Sequence, residues 1–441
     1  MESKTILDEY INFHNEYSKK YGENTIVLME VGSFYEIYAV MNRDINIGPD
    51  IYHVCQNILQ ISVSKRNKKI KEISHSNYLL GGFPSICISK YESILLNHNY
   101  TVVIVEHITP PPNPERAVTR VVSPGTSLDN YNKQDSHYLM SLYIERIQKK
   151  ERDVFLIGVS AIDLSTGKNY VHTIQSRIED SNYWNDEISR YIHFYNPCEI
   201  IFHTKHYELT KDMIIQYWDI NHNSIQINHY SLSDISKLSF QNEFLQNVFT
   251  FETLMTPIVY LDLERDVEAV ISYICLLKYV HDHRAETLHN IELPEKIKDN
   301  NYLCLTSNSI RQLNVIHNYS YFKGKNESLL SVCNQCVTSM GRRLLKDRLL
   351  YPSLHGDVIK KRYDMIDFFS TNELYNDIHK DLKRVSDLEK SLRKMGLHLL
   401  KPAEFFSDSL SFEYITNVIQ TLEHNSEFLT IYPTSATLIS Y

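Results

Sequence analysis

The sequence predicts a multidomain protein whose N-terminal half is α/β, in two successive α/β domains, and whose remainder is an all-α helical region. Three observations carry this. At 441 residues and 43% hydrophobic, the chain is too long for one ordinary domain and can bury several cores. Apolar β-rich runs, interrupted by turn signals and helical stretches, occupy residues 25–125 and 151–255. From about residue 256 the β signals nearly vanish, and apolar residues recur at three- and four-residue intervals. The expected organisation is a first domain over 1–125, a polar linker over 126–150 that turns helical, a second domain over 151–255 and a helical region over 256–441.

The elements follow in order. Thr5-x-x-Asp8 is a capping-box pattern, and Leu7, Tyr10, Ile11, Tyr17 and Tyr21 keep near-helical spacing after it, so the chain opens with an amphipathic helix. "TIVLMEV" and "YEIYAV" flank the Gly32-Ser33 step as strands. "YTVVIVEHI" is a further strand, and "RVVSPGT" ends in a Pro-Gly turn. Between these last two, "TPPPNPER" is expected to be extended and polyproline-like, because Pro fixes φ and lacks a donor. "DVFLIGVSAIDLSTGKNYVHTI" reads as an antiparallel hairpin around Ser165-Thr166-Gly167, and "NDEISRYIHFYNP" then "CEIIFHT" as helix and strand. Helical periodicity then runs through "ERDVEAVISYICLLKYVHDH", "SNSIRQLNVIHNY", "ESLLSVCNQCV", "MGRRLLKDRLLYP", "DVIKKRYDMIDFF" and "LKRVSDLEKSLRKM". Pro352 stops one helix and Asp357 is placed to cap the next.

Composition narrows the function classes. No run of about 18 apolar residues is present, and the acidic, polar start "MESKTILDEY" does not read as a signal peptide, so an intracellular, non-membrane protein is expected. Seven scattered Cys (55, 87, 198, 275, 304, 333, 336) suggest reduced thiols. Cys333-x-x-Cys336 lacks a second pair for zinc, and its spacing fits one face of a helix. The net charge of −9 says nothing for nucleic acid, and residues 1–125 are balanced, with 12 Lys and Arg against 13 Asp and Glu. Any affinity for DNA must come from local patches. "SKRNKKIKE" crowds Lys65, Arg66, Lys68, Lys69 and Lys71 into seven residues, as phosphate contacts or as a solvated loop.

Several chemistries lack their motifs. Gly167-Lys168 and Gly324-Lys325 have neither the upstream Gly nor the following Ser/Thr of a phosphate-cradling P-loop, and no Gly-x-Ser-x-Gly elbow or His-Glu-x-x-His helix is present. Asp282, Glu286 and His289 fall at i, i+4 and i+7 of an expected helix, where a metal could see all three, but nothing else recruits a fourth ligand and a solvated polar face is the better reading. Asp163 would suit the first carboxylate of a metal-dependent nuclease, but only Glu199 is available to join it from the later strand.

The stretch "LMEVGSFYEIYAV" poses a sharper question. Alternation puts Phe34, Glu36 and Tyr38 on one face of a strand and Tyr35 on the other. A large ring and a carboxylate therefore point the same way. Taken alone, the pair reads as Phe34 in a core with Glu36 at its margin.

In context the chain resembles the N-terminal half of the DNA mismatch repair protein MutS family, collinearly and over essentially its whole length. "VGSFYEIY" is similar to that family's Gly-x-Phe-Tyr-Glu motif, and "LLGGFPSICISKYESILLNHNYTVVIVEHI" to its Gly-Val-Pro core with the helix and strand that follow. "RVVSPGT" resembles the close of the first domain, and "GVSAIDLSTGKNY" the first hairpin of the connector. "ESLLSVCNQCVTSMGRRLLKDRLLYPS", "RYDMIDFF" and "VSDLEKSLRKM" resemble the core signature. The resemblance implies a mismatch-recognition domain, a non-catalytic ribonuclease-H-like connector and a helical core with levers. It implies that the partner is double-stranded DNA with mismatches or small loops, read from the minor groove by Phe34 as wedge and Glu36 as base contact. Gly32 would permit the strand entry, Tyr35 would pack beneath the wedge, and Lys65, Arg66, Lys68 and Lys69 would contact phosphates. No cofactor is expected in this chain. The family's clamp, its ATPase with ATP and Mg, and the dimer interface through which it self-associates are expected downstream of Tyr441, which would make the chain a fragment. Val31, Ser33 and Tyr38 stand where many members have Met, Asp and Phe, and Phe83 where Val is usual. Two other functions remain open: a MutS-like recombination or structured-DNA binder, and a nuclease acting through Asp163.

Overall fold

The structure is a computed structural model and describes residues 5–42, 45–109, 115–128, 136–149, 153–218, 220, 225–296, 301–303, 305–316, 327–371, 373–425 and 428. The Pro-rich stretch 110–114 and Gly324-Lys325 lie outside them. The first helix, α1 (Ile6–Tyr21), begins at the Thr5/Asp8 capping box, with each side chain accepting from the other's backbone N–H. It packs against a sheet of β1 (Thr25–Val31), β2 (Phe34–Met41), β3 (Asn46–Ile47), β4 (Ser64–Lys65), β5 (Leu79–Pro84), β6 (Thr101–His107) and β7 (Arg116–Val122). The strands are ordered β4-β5-β2-β1-β6-β7, with β3 on the end of β2. β1 pairs parallel with β6, which the helix α2 (Ile88–Asn97) links to β5, and the other neighbour of β1, β2, is antiparallel. β1 and β6 are buried over their first five residues, which is why both read as unbroken apolar runs.

The second sheet comprises β8 (Tyr138–Gln148), β9 (Asp153–Asp163), β10 (Lys168–Gln175), β11 (Glu199–Lys205), β12 (Ile225–Ile227) and β13 (Glu295–Lys296), ordered β12-β11-β8-β9-β10-β13. β8, β9 and β10 form an antiparallel meander, while β11 and β12 run parallel to β8 on its other side. This is the ribonuclease-H-like arrangement. It also corrects the expectation that residues 126–150 turn helical: Tyr138–Gln148 is the central strand of the sheet. Its first seven residues are buried, so the chain there shows no alternation to mark a strand.

Helices α3 (Tyr183–Tyr195) and α4 (Lys211–Trp218) close one face of this sheet, with Tyr191, Tyr195 and Trp218 buried there. After the short helices α5 (Leu232–Ile235), α6 (Leu238–Val248) and α7 (Pro257–Tyr260), the other face is covered by α8 (Val267–Arg284). Gly158 on β9 makes this docking possible, since a Cβ there would lie 1.8 Å from the Glu268 carbonyl oxygen. Ser272 donates to the Ser141 carbonyl at 2.8 Å, and Tyr273 to Asn169 at 2.7 Å. The sequence grouped this helix with the all-α region, whereas it completes the second sheet. One continuous apolar core runs from the first sheet through α8 to that face.

Among the described residues, seven further α-helices follow: α9 (Ser307–Gln312), α10 (Leu329–Cys333), α11 (Ser339–Leu350), α12 (Gly356–Thr371), α13 (Leu374–Leu382), α14 (Leu388–Gly396) and α15 (Pro402–Glu423). Asp357 lies inside the first turn of α12, where its charge complements the helix N-terminus, and is not the cap expected from sequence. α14 joins this region to the second sheet. Arg343 on α11 makes paired 2.7 Å contacts to Asp387, and Glu389 accepts from both Arg343 (2.6 Å) and Lys168 (3.1 Å). Arg393 is buried and donates to three main-chain carbonyls, those of Leu164 (3.4 Å), Thr287 (2.5 Å) and His289. Burial lowers its pKa to about 10.

Candidate nucleic-acid interface

The β1–β2 hairpin closes through Gly32-Ser33, with Val31 opposite Phe34, Glu30 opposite Tyr35 and Met29 opposite Glu36. Gly32 has φ +62°, as the first central residue of such a two-residue turn requires. On the other side of β2, Phe34 faces Pro84, Tyr35 faces Phe83 and Glu36 faces Gly82. Ser85 then donates from its N–H to the Ser33 carbonyl at 2.8 Å, tying the end of β5 to the hairpin turn. The result is a firm tip. Phe34 stands on it 44% exposed, and Ile86, one residue beyond Ser85, is 91% exposed.

The two faces below the tip differ. Tyr35 is buried and donates its hydroxyl to Glu106 at 2.5 Å. Burial, reinforced by that carboxylate, holds the phenol well above its ordinary range. Its ring lies 6.2 Å from Phe83, which stacks on Tyr91 of α2 at 4.2 Å. On the opposite face α1 covers β2 at Tyr38, whose ring meets Tyr10 and Tyr78 edge-on, each at 5.3 Å. Tyr38 donates its hydroxyl to Oε2 of Glu36, which is itself half-buried.

The basic loop is elsewhere. Lys65 pairs with Leu79, which pairs with Ala39, so the loop stands at the other end of β2 from Phe34, five residues or about 17 Å along the strand. Lys65, Arg66, Lys68 and Lys69 therefore do not join Phe34 and Glu36 in one cluster. Arg66, Lys68, Lys69 and Lys71 are exposed, whereas Lys65 is half-buried and donates from Nζ to the Lys71 carbonyl at 2.5 Å. Buried Asn77 shapes the loop: it accepts from the Asn67 N–H at 2.8 Å and donates to the carbonyls of Glu72 (2.8 Å) and Ile70 (3.2 Å). Arg66 lies over the Tyr78 ring, 5.5 Å from its centroid. Glu36 and Arg66 thus contact neighbouring tyrosines, Tyr38 and Tyr78, whose rings meet edge-on.

The other sequence candidates are engaged in structural roles. Asp163 is buried and accepts from Ser165 N–H (2.9 Å), Ser165 Oγ (2.6 Å) and His137 N–H (3.2 Å), which closes the β9–β10 turn. Glu199 accepts from Ser123, Gly125 and Tyr279. Asp282 receives Tyr230 at 2.9 Å and Lys278 at 3.3 Å, and α8 ends at Arg284, so Glu286 and His289 do not continue its face. Helix α10 ends at Cys333, which leaves Cys336 off the helix. Among the described residues no group of three or more His, Cys, Asp and Glu could hold a metal ion, and no helix is long and apolar enough to cross a membrane. Ile86 was not anticipated. Its exposure has no sequence signal.

Fold and tip together define a modular α/β protein with an aromatic side chain offered to solvent at the end of its first sheet. Comparison with known proteins names the family. The model of MutS domain I matches residues 10–131, and that of MutS domain III matches residues 308–437. A putative DNA mismatch repair protein, mutS homolog L359, of Acanthamoeba polyphaga mimivirus is 30% identical over 98% of this chain and 41% of its own length. DNA mismatch repair proteins MutS of Caldanaerobacter subterraneus and Methanosarcina barkeri are 25% and 26% identical, over 97% and 92% of this chain and 45% and 43% of theirs. The chain belongs to the MutS family. It spans less than half the length of these curated relatives.

Proposed function

We propose that this chain binds double-stranded DNA at mispairs or small loops, within DNA mismatch repair, with Phe34 as an intercalating wedge and Glu36 as the contact to the mispaired base. The observation that carries the reading is Phe34 itself: a large ring, 44% exposed, at a tip made rigid by pairing on both sides. Wedging into a duplex costs a few kcal/mol of unstacking and kinking, and least where a base pair is already weak. A ring that enters only soft steps therefore reads deformability without reading sequence. A carboxylate near phosphates is repulsive unless a base supplies a donor, so Glu36 penalises intact duplex more than a mispair. Ile86 adds apolar surface beside the wedge, and the exposed cations of the basic loop add sequence-independent phosphate attraction from the other end of the strand.

ATP has no step in this proposal. Lys168 of the Gly167-Lys168 pair is engaged with Glu389, and the loop around it is a hairpin turn without a P-loop's glycines.

The test is a titration of fluorescent G·T and fully paired duplexes with wild type, Phe34→Ala and Ile86→Ala. Wild type is expected to prefer G·T. Phe34→Ala is expected to lose that preference, and Ile86→Ala to weaken binding about three- to tenfold with stability unchanged, since its side chain packs on little. Full mismatch preference in Phe34→Ala would sink the proposal. Preference for a four-way junction over G·T would instead favour structured-DNA binding.

A further inference from the structure

We propose that Tyr38 is a positioning residue for Glu36: its hydroxyl holds one carboxylate oxygen so that the other is presented to a base at the tip. The inference rests on the reading of Phe34 and Glu36 given above.

Phe34, Glu36 and Tyr38 follow one another on the same face of β2, and the bond from the Tyr38 hydroxyl to Glu36 Oε2 joins the last two. The donor is immobile. Tyr38 is 2% exposed, its ring held edge-on between Tyr10 and Tyr78, and Tyr10 is in turn fixed by donating to the Val27 carbonyl at 3.1 Å. Burial first, and the Glu36 bond second, push the phenol far above its ordinary range, so it remains a donor wherever the protein is folded.

An untethered glutamate at a surface samples many rotamers and must be ordered when a base arrives, which subtracts from the contact. Held through Oε2, Glu36 has Oε1 left to accept from a base, and little further order is lost in making that bond. A Phe at position 38 would fill the same space between Tyr10 and Tyr78 but would release the carboxylate. A swinging carboxylate meets phosphate as readily as base, so the contrast between mispaired and intact DNA shrinks.

The experiment measures the ratio of affinities for G·T and fully paired duplexes with the 441-residue chain as wild type, Tyr38→Phe, Glu36→Gln and the double variant, with thermal unfolding of each as a control for packing. Tyr38→Phe is expected to remain folded and to lower the ratio about three- to tenfold, the effect of one hydrogen bond. In the Glu36→Gln background the same change is expected to do nothing more, because the two residues act as one unit. A Tyr38→Phe ratio equal to wild type, or a loss that persists undiminished beside Glu36→Gln, would overturn the proposal. The reading of the tip would survive that result if Phe34→Ala and Glu36→Gln still lost the preference. A wild type with no preference for G·T would overturn the reading, and this proposal with it.

Discussion

Glu199 accepts a 2.6 Å hydrogen bond from Ser123, 76 residues upstream, and so ties the close of the first domain to the second sheet. The same carboxylate accepts from the Gly125 N–H at 3.0 Å and from Tyr279 of α8 at 2.6 Å. Ser-Pro-Gly-Thr at 123–126 is therefore a turn shaped to place an N–H and a hydroxyl on one buried acid. Glu199→Ala removes the shared acceptor of three buried donors, of which Ser123 Oγ has a second partner in Thr126 Oγ1 at 3.1 Å. The expected cost is about 2–4 kcal/mol, read as a lowered denaturant midpoint, with faster amide exchange at residues 123–126 than at Thr25–Val31. Unchanged exchange there would show that the domains are held by apolar packing alone.

Acid should loosen the junction where α1, the 228–230 loop and α8 meet. His203, His229 and His283 are packed among Tyr21, Tyr230 and Tyr279. Burial lowers the pKa values of His203 and His229 to about 4 and that of His283 to about 3, with Lys20 and Lys278 also disfavouring charge on His229 and Asp282 partly opposing them. The unfolded chain takes up these protons near pH 6.5 while the folded one does not. Stability contributed by the neutral rings is thus complete above about pH 6.5 and is lost as the pH falls toward the folded values, by up to about 1.4 kcal/mol per pH unit for each ring. Denaturant unfolding at pH 7, 6 and 5 measures the slope, and His283→Phe is expected to flatten it.

The basic loop admits a test by salt. Lys68→Ala with Lys69→Ala is expected to weaken binding to paired and mispaired duplexes alike. The slope of log affinity against log salt should become shallower by about 0.9 for each phosphate contact removed. Asn77→Ala, which removes the amide that shapes the loop, is expected to reproduce part of this effect with every cation still present. An unchanged slope in both variants would make the run a solvated surface.

What the sequence revealed and what it concealed divide along physical lines. The α1 cap, the Gly32-Ser33 turn and the Ser165-Thr166-Gly167 hairpin are local, and short-range chemistry announces them. The face shared by Phe34, Glu36 and Tyr38 was legible from alternation; that Tyr38 reaches Glu36 needed the packing of Tyr10 and Tyr78 around its ring. Tyr138–Gln148 escaped because a strand covered on both faces has no period of two. The role of α8 escaped because nothing local marks Gly158 as the seat for a helix more than a hundred residues away. The separation of the basic loop from the tip depends on the β4-β5-β2 pairing, and one-dimensional proximity suggested nothing about it.

Among the described residues Arg393 donates to main-chain carbonyls alone, at the joint between α14 and the second sheet. Every amino acid carries such an oxygen, so the contact itself asks nothing of the side chains at 164, 287 and 289, although Leu164 and Thr287 are buried for other reasons. Arg393 shares the joint with the Lys168–Glu389 pair and with Asn290, which donates to the Gly396 carbonyl. A lysine at position 393, a point charge with three donors on a round head, does not span three carbonyls that a planar guanidinium reaches at once.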